Sequence, residues 1–226
     1  MESRSTDGVN YNKNNSSGNT KVQLAVSSGI SLGLAGFGFA VLHESMITIY
    51  SLIRNLDYTV DGMAAQGFFV GGLGQVIAGI ICYLELDNFH ATAFTSFGLN
   101  WMGKGLNYYL ANYGNSSNKE SSAAQRGILS MGWSIWVGIL LASKLKSRFA
   151  TLIMLIGLNV FVDIETLALW ISNTPLKIIA SVVGIFTALM AFYNAATNMI
   201  SIEDSGFVLP RGRVIFGNTS QHHSMA

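Results

Sequence analysis

The sequence predicts an all-α membrane protein with six transmembrane helices, and three observations support this. Of the 226 residues, 50% are hydrophobic and only 11% are charged, whereas ordinary globular domains carry about 25% charged residues. The mean hydropathy is +0.40. Two long apolar runs within Phe68–Trp101 are separated only by the polar break Glu85–Asn88, a pattern typical of a hairpin of two membrane helices.

Each predicted helix is an apolar stretch close to the length of about 20 residues that a membrane crossing requires. The six stretches are Ser28–Ser51, Met63–Leu84, Phe89–Ala111, Gly127–Ser143, Phe149–Ser172 and Leu176–Asn198. Gly67 and Gly71 lie four residues apart in the second stretch, which indicates a close contact with another helix. The connections are too short to separate domains, so residues 28–200 are expected to form one transmembrane domain.

The two ends of the chain are polar and are expected to lie on the same side of the membrane, because the number of spans is even. Residues 1–27 are rich in Asn and Ser and predict a disordered tail, and residues 201–226 form a second tail. Lys144, Lys146 and Arg148 lie between the fourth and fifth helices, which favours two cytoplasmic termini. No organelle signal is evident, so the plasma membrane is expected.

Several classes of function are excluded by what the sequence lacks. It has no P-loop, no HExxH, no GxSxG and no dinucleotide-binding fingerprint, so neither an enzyme nor a bound cofactor is expected. Cys82 is the only cysteine, and four histidines form no metal-binding motif. The net charge is +1 and the basic residues are scattered, which gives no reason to expect nucleic acid.

The third predicted helix carries a stripe of polar residues at intervals of four. Thr92, Ser96 and Asn100, together with Asn107 seven residues further on, are therefore expected close to one helical face. The stripe has two interpretations, which are hydrogen bonding between helices and the lining of a path for a polar solute.

Ionisable residues also fall within the predicted helices. Glu44 has His43 beside it in the first helix, and Asp163 lies in the fifth, at a level where it can pair with His43 or Lys104. A charge at membrane depth is costly and usually faces the interior of the bundle. His43, Glu44 and Asp163 are thus candidates for proton coupling, and the alternative is that Glu44 and His43 simply meet interfacial water.

The segments FFVGGLGQVIAGI at 68–80 and NFHATAFTSFGLNW at 88–101 resemble the central signature of the acetate uptake transporter family, of the succinate–acetate permease type. The family is related in fold to urea and amide channels. The resemblance implies six transmembrane helices per protomer around a central pore, assembled as a homohexamer. It also implies transport of acetate and related small carboxylates such as lactate or succinate, either coupled to protons or channel-like.

The resemblance assigns roles to individual residues. It implies an apolar constriction made by Phe37, Phe97 and Leu158. The residues expected to line the pathway are Gln75, Thr92, Thr95 and Ser96, together with Asn100 from the polar stripe.

This chain also departs from the family pattern at the expected cytoplasmic end of the helices. The family's Asn-Pro-Ala-Pro is replaced by Ser28–Ser31, its glutamate by Cys82, its Gly-Asn turn by Leu86-Asp87, and a glycine by His90. Phe97 stands where relatives usually have tyrosine. Two alternatives therefore stay open, a channel for neutral solutes such as urea, an amide or ammonia, and a membrane sensor that transports nothing.

Overall fold

The computed structural model describes residues 29–54, 60–113 and 119–212, and within these ranges the chain is helical throughout, with no strand. The predicted tail at 1–27 lies outside the described residues. The elements are α1 Gly29–Arg54, α2 Val60–Ala65, a π-helix Gln66–Leu73, α3 Gly74–Leu84, α4 Asn88–Tyr113, α5 Lys119–Ser143, α6 Phe149–Trp170, α7 Thr174–Met199 and α8 Ile202–Ser205.

The all-α fold class is confirmed, and the membrane character rests on four helices. Those long and apolar enough to cross a bilayer are Gly29–Arg54, Met63–Leu84, Phe149–Trp170 and Thr174–Met199. Gly127–Ser143 is a shorter apolar helix. Helix α4 has the length of a span but is less apolar, because Thr, Ser, Asn and Lys side chains interrupt its hydrophobic residues.

The long helices form a ring. Around the ring, helix α5 packs on α6, α6 packs on α7, and α7 packs on α1. Helix α1 in turn packs on α3 and the π-helix, and both α3 and the π-helix pack on α4. Helix α4 closes the ring against α5, because the ring of Phe97 stacks on that of Trp133 and the Trp136 indole Nε1 donates to Ser96 Oγ at 3.1 Å. The ring leaves a central space that is lined by α1, α3, α4, α5, α6 and α7.

The two faces of this ring differ in the chain segments they contain. One face, called here the cavity face, holds the start of α1, the turn at 85–87, the segment 144–148 and the end of α7. At this face the cation of Lys144 lies 4.4 Å from the ring centroid of Phe89, a contact that joins the segment 144–148 to the start of α4. The opposite end of the ring, called the far face, holds the end of α1 and the turn at 171–173.

The second helix approaches α4 very closely because of its glycines. A Cβ atom on Gly67 would lie 2.8 Å from the carbonyl oxygen of Trp101, and one on Gly71 would lie 3.0 Å from the Trp101 side chain. The contact predicted for these two glycines is confirmed. The π-helical stretch around them shifts the hydrogen bonding, and the Gly74 N–H donates to Phe69 O, five residues back.

Two helices end in Schellman motifs whose left-handed position is not a glycine. At the end of α3 the Leu86 N–H donates to Tyr83 O at 3.1 Å and the Asp87 N–H to Cys82 O at 2.9 Å, with Leu86 at φ 62°. Ser172, at φ 51°, takes the same position after α6. Glycine usually fills this position because it has no Cβ to clash.

Replacing Leu86 with glycine is therefore expected to stabilise the protein. The left-handed conformation destabilises a folded chain with leucine there by roughly 1–2 kcal/mol, and glycine avoids this strain. The greater freedom of glycine in the unfolded chain offsets roughly 0.5–1 kcal/mol of the gain. We expect a net gain of about 0.5–1 kcal/mol in the free energy of unfolding, measured by denaturant unfolding in detergent. Leu84→Gly is the matched control, because Leu84 is also largely exposed but lies in the helix, where glycine should lower the stability. A loss of stability in Leu86→Gly would contradict the expectation.

Candidate functional site

A cavity of about 170 Å³ lies inside the ring, toward the cavity face. An apolar protein cavity of about 150 Å³ is large enough to hold benzene, so this space has room for a small organic solute. All six long helices contribute to its wall. The lining residues include Ile30, Leu34 and Phe37 of α1, Gln75 of α3, His90, Ala93, Phe94 and Phe97 of α4, Leu140 of α5, Thr151, Leu155 and Leu158 of α6, and Asn194 and Asn198 of α7.

Phe37, Phe97 and Leu158 are the last wall residues of α1, α4 and α6, counted from the cavity face, and we call them the apolar gate. The rings of Phe37 and Phe97 lie 5.5 Å apart between centroids, and Phe97 stacks on Trp133 at 5.6 Å. The three side chains are between 3% and 7% exposed. The structure thus brings together the three residues that the resemblance placed at the constriction.

Gln75 is the most deeply buried polar group of the cavity wall, with 0% exposure. Its Nε2 donates to the carbonyl oxygen of Gly33 at 3.4 Å, and its Oε1 has no hydrogen-bond partner among the described residues. A buried acceptor without a partner is costly. A solute that offers an O–H or N–H group to this oxygen would remove that cost.

Asn194 and Thr151 provide polar groups on the α6–α7 side of the wall, but these groups already have partners. The Asn194 Nδ2 donates to Ala150 O at 3.1 Å and to Met190 O at 2.8 Å, and the Thr151 hydroxyl donates to Asn194 Oδ1 at 3.1 Å. Asn194 therefore ties α7 to α6. This network holds the wall in place and leaves Gln75 as the unsatisfied group.

The mouth of the cavity carries basic side chains. Arg148 lines it directly, and His90 lines it while its Nδ1 contacts Asp87 Oδ2 at 2.6 Å. Burial opposes the charged form of Asp87, but hydrogen bonds from His90 and the positive charges of His90 and Lys144 outweigh this and hold the pKa of Asp87 below its usual range. Since the Asp87 carboxylate lies against His90, the attraction of anions to this opening depends on the cations of Arg148 and Lys144.

The polar stripe of α4 contributes less to this cavity than the sequence suggested. The wall does not include Thr92, Thr95, Ser96 or Asn100. Thr92 is exposed on the outside of the ring, and the Ser96 hydroxyl donates to Ala93 O at 2.9 Å while accepting from Trp136. The contacts of Ser96 correspond to the other interpretation of the stripe, hydrogen bonding between helices.

The three ionisable candidates occupy different environments. Glu44 is 4% exposed and meets Lys104, so it does not simply face interfacial water. Nδ1 of His43 is buried without a hydrogen-bond partner among the described residues. Asp163 accepts a hydrogen bond from Ser134, whereas Lys104 pairs with Glu44 and Glu165. Asp163, predicted to pair with His43 or Lys104, thus contacts Ser134 of α5, and the α6 carboxylate beside Lys104 is that of Glu165.

Apolar helices around a cavity with apolar side chains at its inner end are found in membrane proteins that pass small solutes. A family model described as the GPR1/FUN34/yaaH family matches residues 14–214. The chain belongs to this family, and the resemblance stated from the sequence is confirmed.

The relatives include transporters of two kinds of solute. Ammonia transport outward protein 3 of Saccharomyces cerevisiae is 26% identical over 182 residues, which cover 78% of this chain and 64% of the yeast protein. The succinate-acetate/proton symporter SatP of Escherichia coli is 26% identical over 199 residues, covering 86% of this chain and 98% of SatP. The solved structure of the bacterial acetate channel SatP has the same fold, with a TM-score of 0.69, 22% identity, and coverage of 85% of this chain and 98% of that chain.

Proposed function

We propose that this protein carries acetate and related small carboxylates, such as lactate and succinate, across a membrane through a pore within each subunit. The observation that carries the proposal is the cavity of about 170 Å³ between a basic mouth and the apolar gate. The relatives named as a succinate-acetate/proton symporter and an acetate channel support the same substrate class. Six crossings, cytoplasmic termini, the plasma membrane and a homohexamer are parts of this proposal.

The form of the solute that crosses the gate follows from the cost of desolvation. A carboxylate anion held between Phe37, Phe97 and Leu158 would have no compensating donor from these side chains, and burying an unpaired charge is very costly. A neutral carboxylic acid avoids most of this cost. The acid therefore crosses with its proton, and transport of the acid carries a proton in the same direction.

Gln75 and Arg148 fit this sequence of events. Arg148 at the mouth attracts the anion from solution. The anion takes up a proton from solvent water, and deeper in the cavity the unpartnered Oε1 of Gln75 accepts a hydrogen bond from the hydroxyl of the neutral acid. It cannot accept from a carboxylate, which has no proton to donate, so Gln75 favours the neutral form next to the gate.

Ammonia is the second candidate solute. Its N–H groups can donate to the same Gln75 oxygen, and it passes an apolar gate without charge. The yeast relative named for outward ammonia transport supports this candidate.

The experiment that tests the proposal is flux into proteoliposomes, with acetate, urea and ammonia measured side by side. Ala93 lines the cavity, whereas Ala142 is exposed on the outside of α5. We expect acetate uptake by the natural protein and by Ala142→Phe, and uptake at the protein-free rate by Ala93→Phe, because the new ring fills the cavity. Equal acetate uptake by the two variants, or none above protein-free liposomes by the natural protein, would contradict the proposal.

A further inference from the structure

A charged residue follows each member of the apolar gate at the same spacing. Seven positions after Phe37, Phe97 and Leu158 on their respective helices stand Glu44, Lys104 and Glu165. Seven residues are nearly two turns of an α-helix, or a rise of about 10 Å, so each charged residue lies on the same helical face as its gate residue. The next level of the ring toward the far face is therefore charged.

The three charged side chains meet each other. The Lys104 ammonium lies 2.9 Å from Glu44 Oε1 and 3.1 Å from Oε2, and 3.7 Å from Glu165 Oε1. The Glu44 side chain is 5% exposed and those of Lys104 and Glu165 are each 25% exposed. The Tyr108 hydroxyl donates to Glu44 Oε1 at 3.5 Å. We call Glu44, Lys104 and Glu165 the charged triad.

A further hydrogen-bond donor lies between the gate and the charged triad. Trp101 follows Phe97 by one turn of α4 and is 4% exposed. Its indole N–H is buried without a hydrogen-bond partner among the described residues, and the Lys104 ammonium lies 5.0 Å from the ring centroid. A small group with acceptor oxygens would satisfy this N–H and contact the ammonium as well.

We infer that the charged triad is a second station of the solute pathway, at which a small carboxylate binds Lys104 in exchange for Glu44 or Glu165. The inference rests on the proposed function and adds a binding site to it. The carboxylate of the solute has the same shape and charge as the side-chain carboxylates that it displaces. The Trp101 indole N–H donates to its second oxygen.

The exchange keeps binding weak, which permeation requires. Two carboxylates compete with the solute for one ammonium, so the solute does not remain bound as it would at an unpaired lysine. An acid that has passed the gate can release its proton to water here, bind the ammonium as the anion, and leave as the anion. The triad thus provides the first charged contact beyond an otherwise apolar passage.

The test uses the fluorescence of the purified full chain in detergent, titrated with sodium acetate. We expect a saturable change with acetate but not with acetamide, the neutral analogue, or with sodium chloride at equal concentration. The change should be absent in Trp101→Phe, which assigns it to the tryptophan under Lys104 rather than to Trp133, Trp136 or Trp170. A response of equal size to acetamide would overturn the inference.

Two variants of the triad separate a binding role from a structural one. Lys104→Arg keeps the charge and should keep acetate binding. The double variant Glu44→Gln/Lys104→Met removes the most buried charge of the triad and leaves only the 25% exposed carboxylate of Glu165, so it is expected to fold. Its Kd and its KM for acetate flux should each rise about tenfold or more, because charge-assisted hydrogen bonds are lost. Unchanged values in the folded double variant would overturn the inference.

The flux assay distinguishes this inference from the proposed function. Absence of acetate flux in the natural protein would contradict the proposed function itself. Acetate flux in the natural protein, together with an unchanged KM in the double variant, would leave the proposed function standing and remove only the second station.

Discussion

Replacing Lys104 with methionine should lower the free energy of unfolding by about 3 kcal/mol, because it leaves the buried carboxylate of Glu44 without its cation. Removing one partner of a buried ion pair typically costs roughly 3–5 kcal/mol. The lower end applies here, since the Lys104 side chain is 25% exposed. The measurement is denaturant unfolding of the natural protein and the variant in the same detergent.

The double variant Glu44→Gln/Lys104→Met is the control for this stability loss. It removes the buried Glu44 carboxylate together with the ammonium and leaves only the 25% exposed carboxylate of Glu165 charged, so most of the lost stability should return. A double variant no more stable than Lys104→Met would contradict the assignment of the loss to an unpaired Glu44. High salt should have little effect on the difference, because buried pairs are weakly screened.

Replacing Phe97 with alanine should open the apolar gate. The substitution removes the ring that lies between Phe37 and Trp133, so acids larger than acetate should pass more easily. We expect benzoate flux relative to acetate flux to increase about tenfold, which corresponds to a barrier lowered by about 1.4 kcal/mol. The measurement is the uptake of both acids into proteoliposomes, divided by the amount of folded protein. This normalisation is needed because a buried Phe→Ala change lowers the free energy of unfolding by roughly 3–5 kcal/mol.

Phe39→Ala is the matched control for the gate variant. Phe39 lies two residues from Phe37 in α1, is 54% exposed and contacts Phe192 rather than the cavity. Its flux ratio should remain that of the natural protein. Phe97→Tyr should also keep the ratio, because it keeps an aromatic ring of the same size between Phe37 and Trp133. An unchanged ratio in Phe97→Ala would show that Phe97 does not limit the size of the solute.

Much of the fold could be predicted from local sequence, because membrane helices require long apolar stretches whatever their partners are. The hairpin around Glu85–Asn88 and the close contact at Gly67 and Gly71 depend only on such local features. The apolar gate came from the resemblance, since the spacing of Phe37, Phe97 and Leu158 in the sequence does not show that they meet.

The partners of the polar residues could not be predicted in the same way. Periodicity places Thr92 and Ser96 near one face of α4, but it does not say which neighbour that face meets, and Ser96 bonds to Trp136 of α5. Asp163 and Glu165 are two residues apart, which is about 200° around a helix. The two carboxylates therefore lie on nearly opposite sides of α6, and the packing of α6 against α5 and α7 decides which of them faces Lys104.

The central claim, that the solute occupies the cavity between the mouth and the apolar gate, is tested most directly by cysteine labelling. Cys82 is the only cysteine and is fully buried, so a Cys82→Ala protein can carry one new cysteine at a time. Both variants below are labelled with a small anionic thiol reagent. Ala93→Cys reports on the cavity, which Ala93 lines. Thr92→Cys is the control, because Thr92 lies one residue away on the exposed side of α4.

Acetate at ten times its Kd should slow labelling of Ala93→Cys about tenfold by occupying the cavity, and sodium chloride should not. Labelling of Thr92→Cys should be unaffected by acetate. Equal rates for Ala93→Cys with and without saturating acetate would contradict the claim that this cavity holds the transported acid.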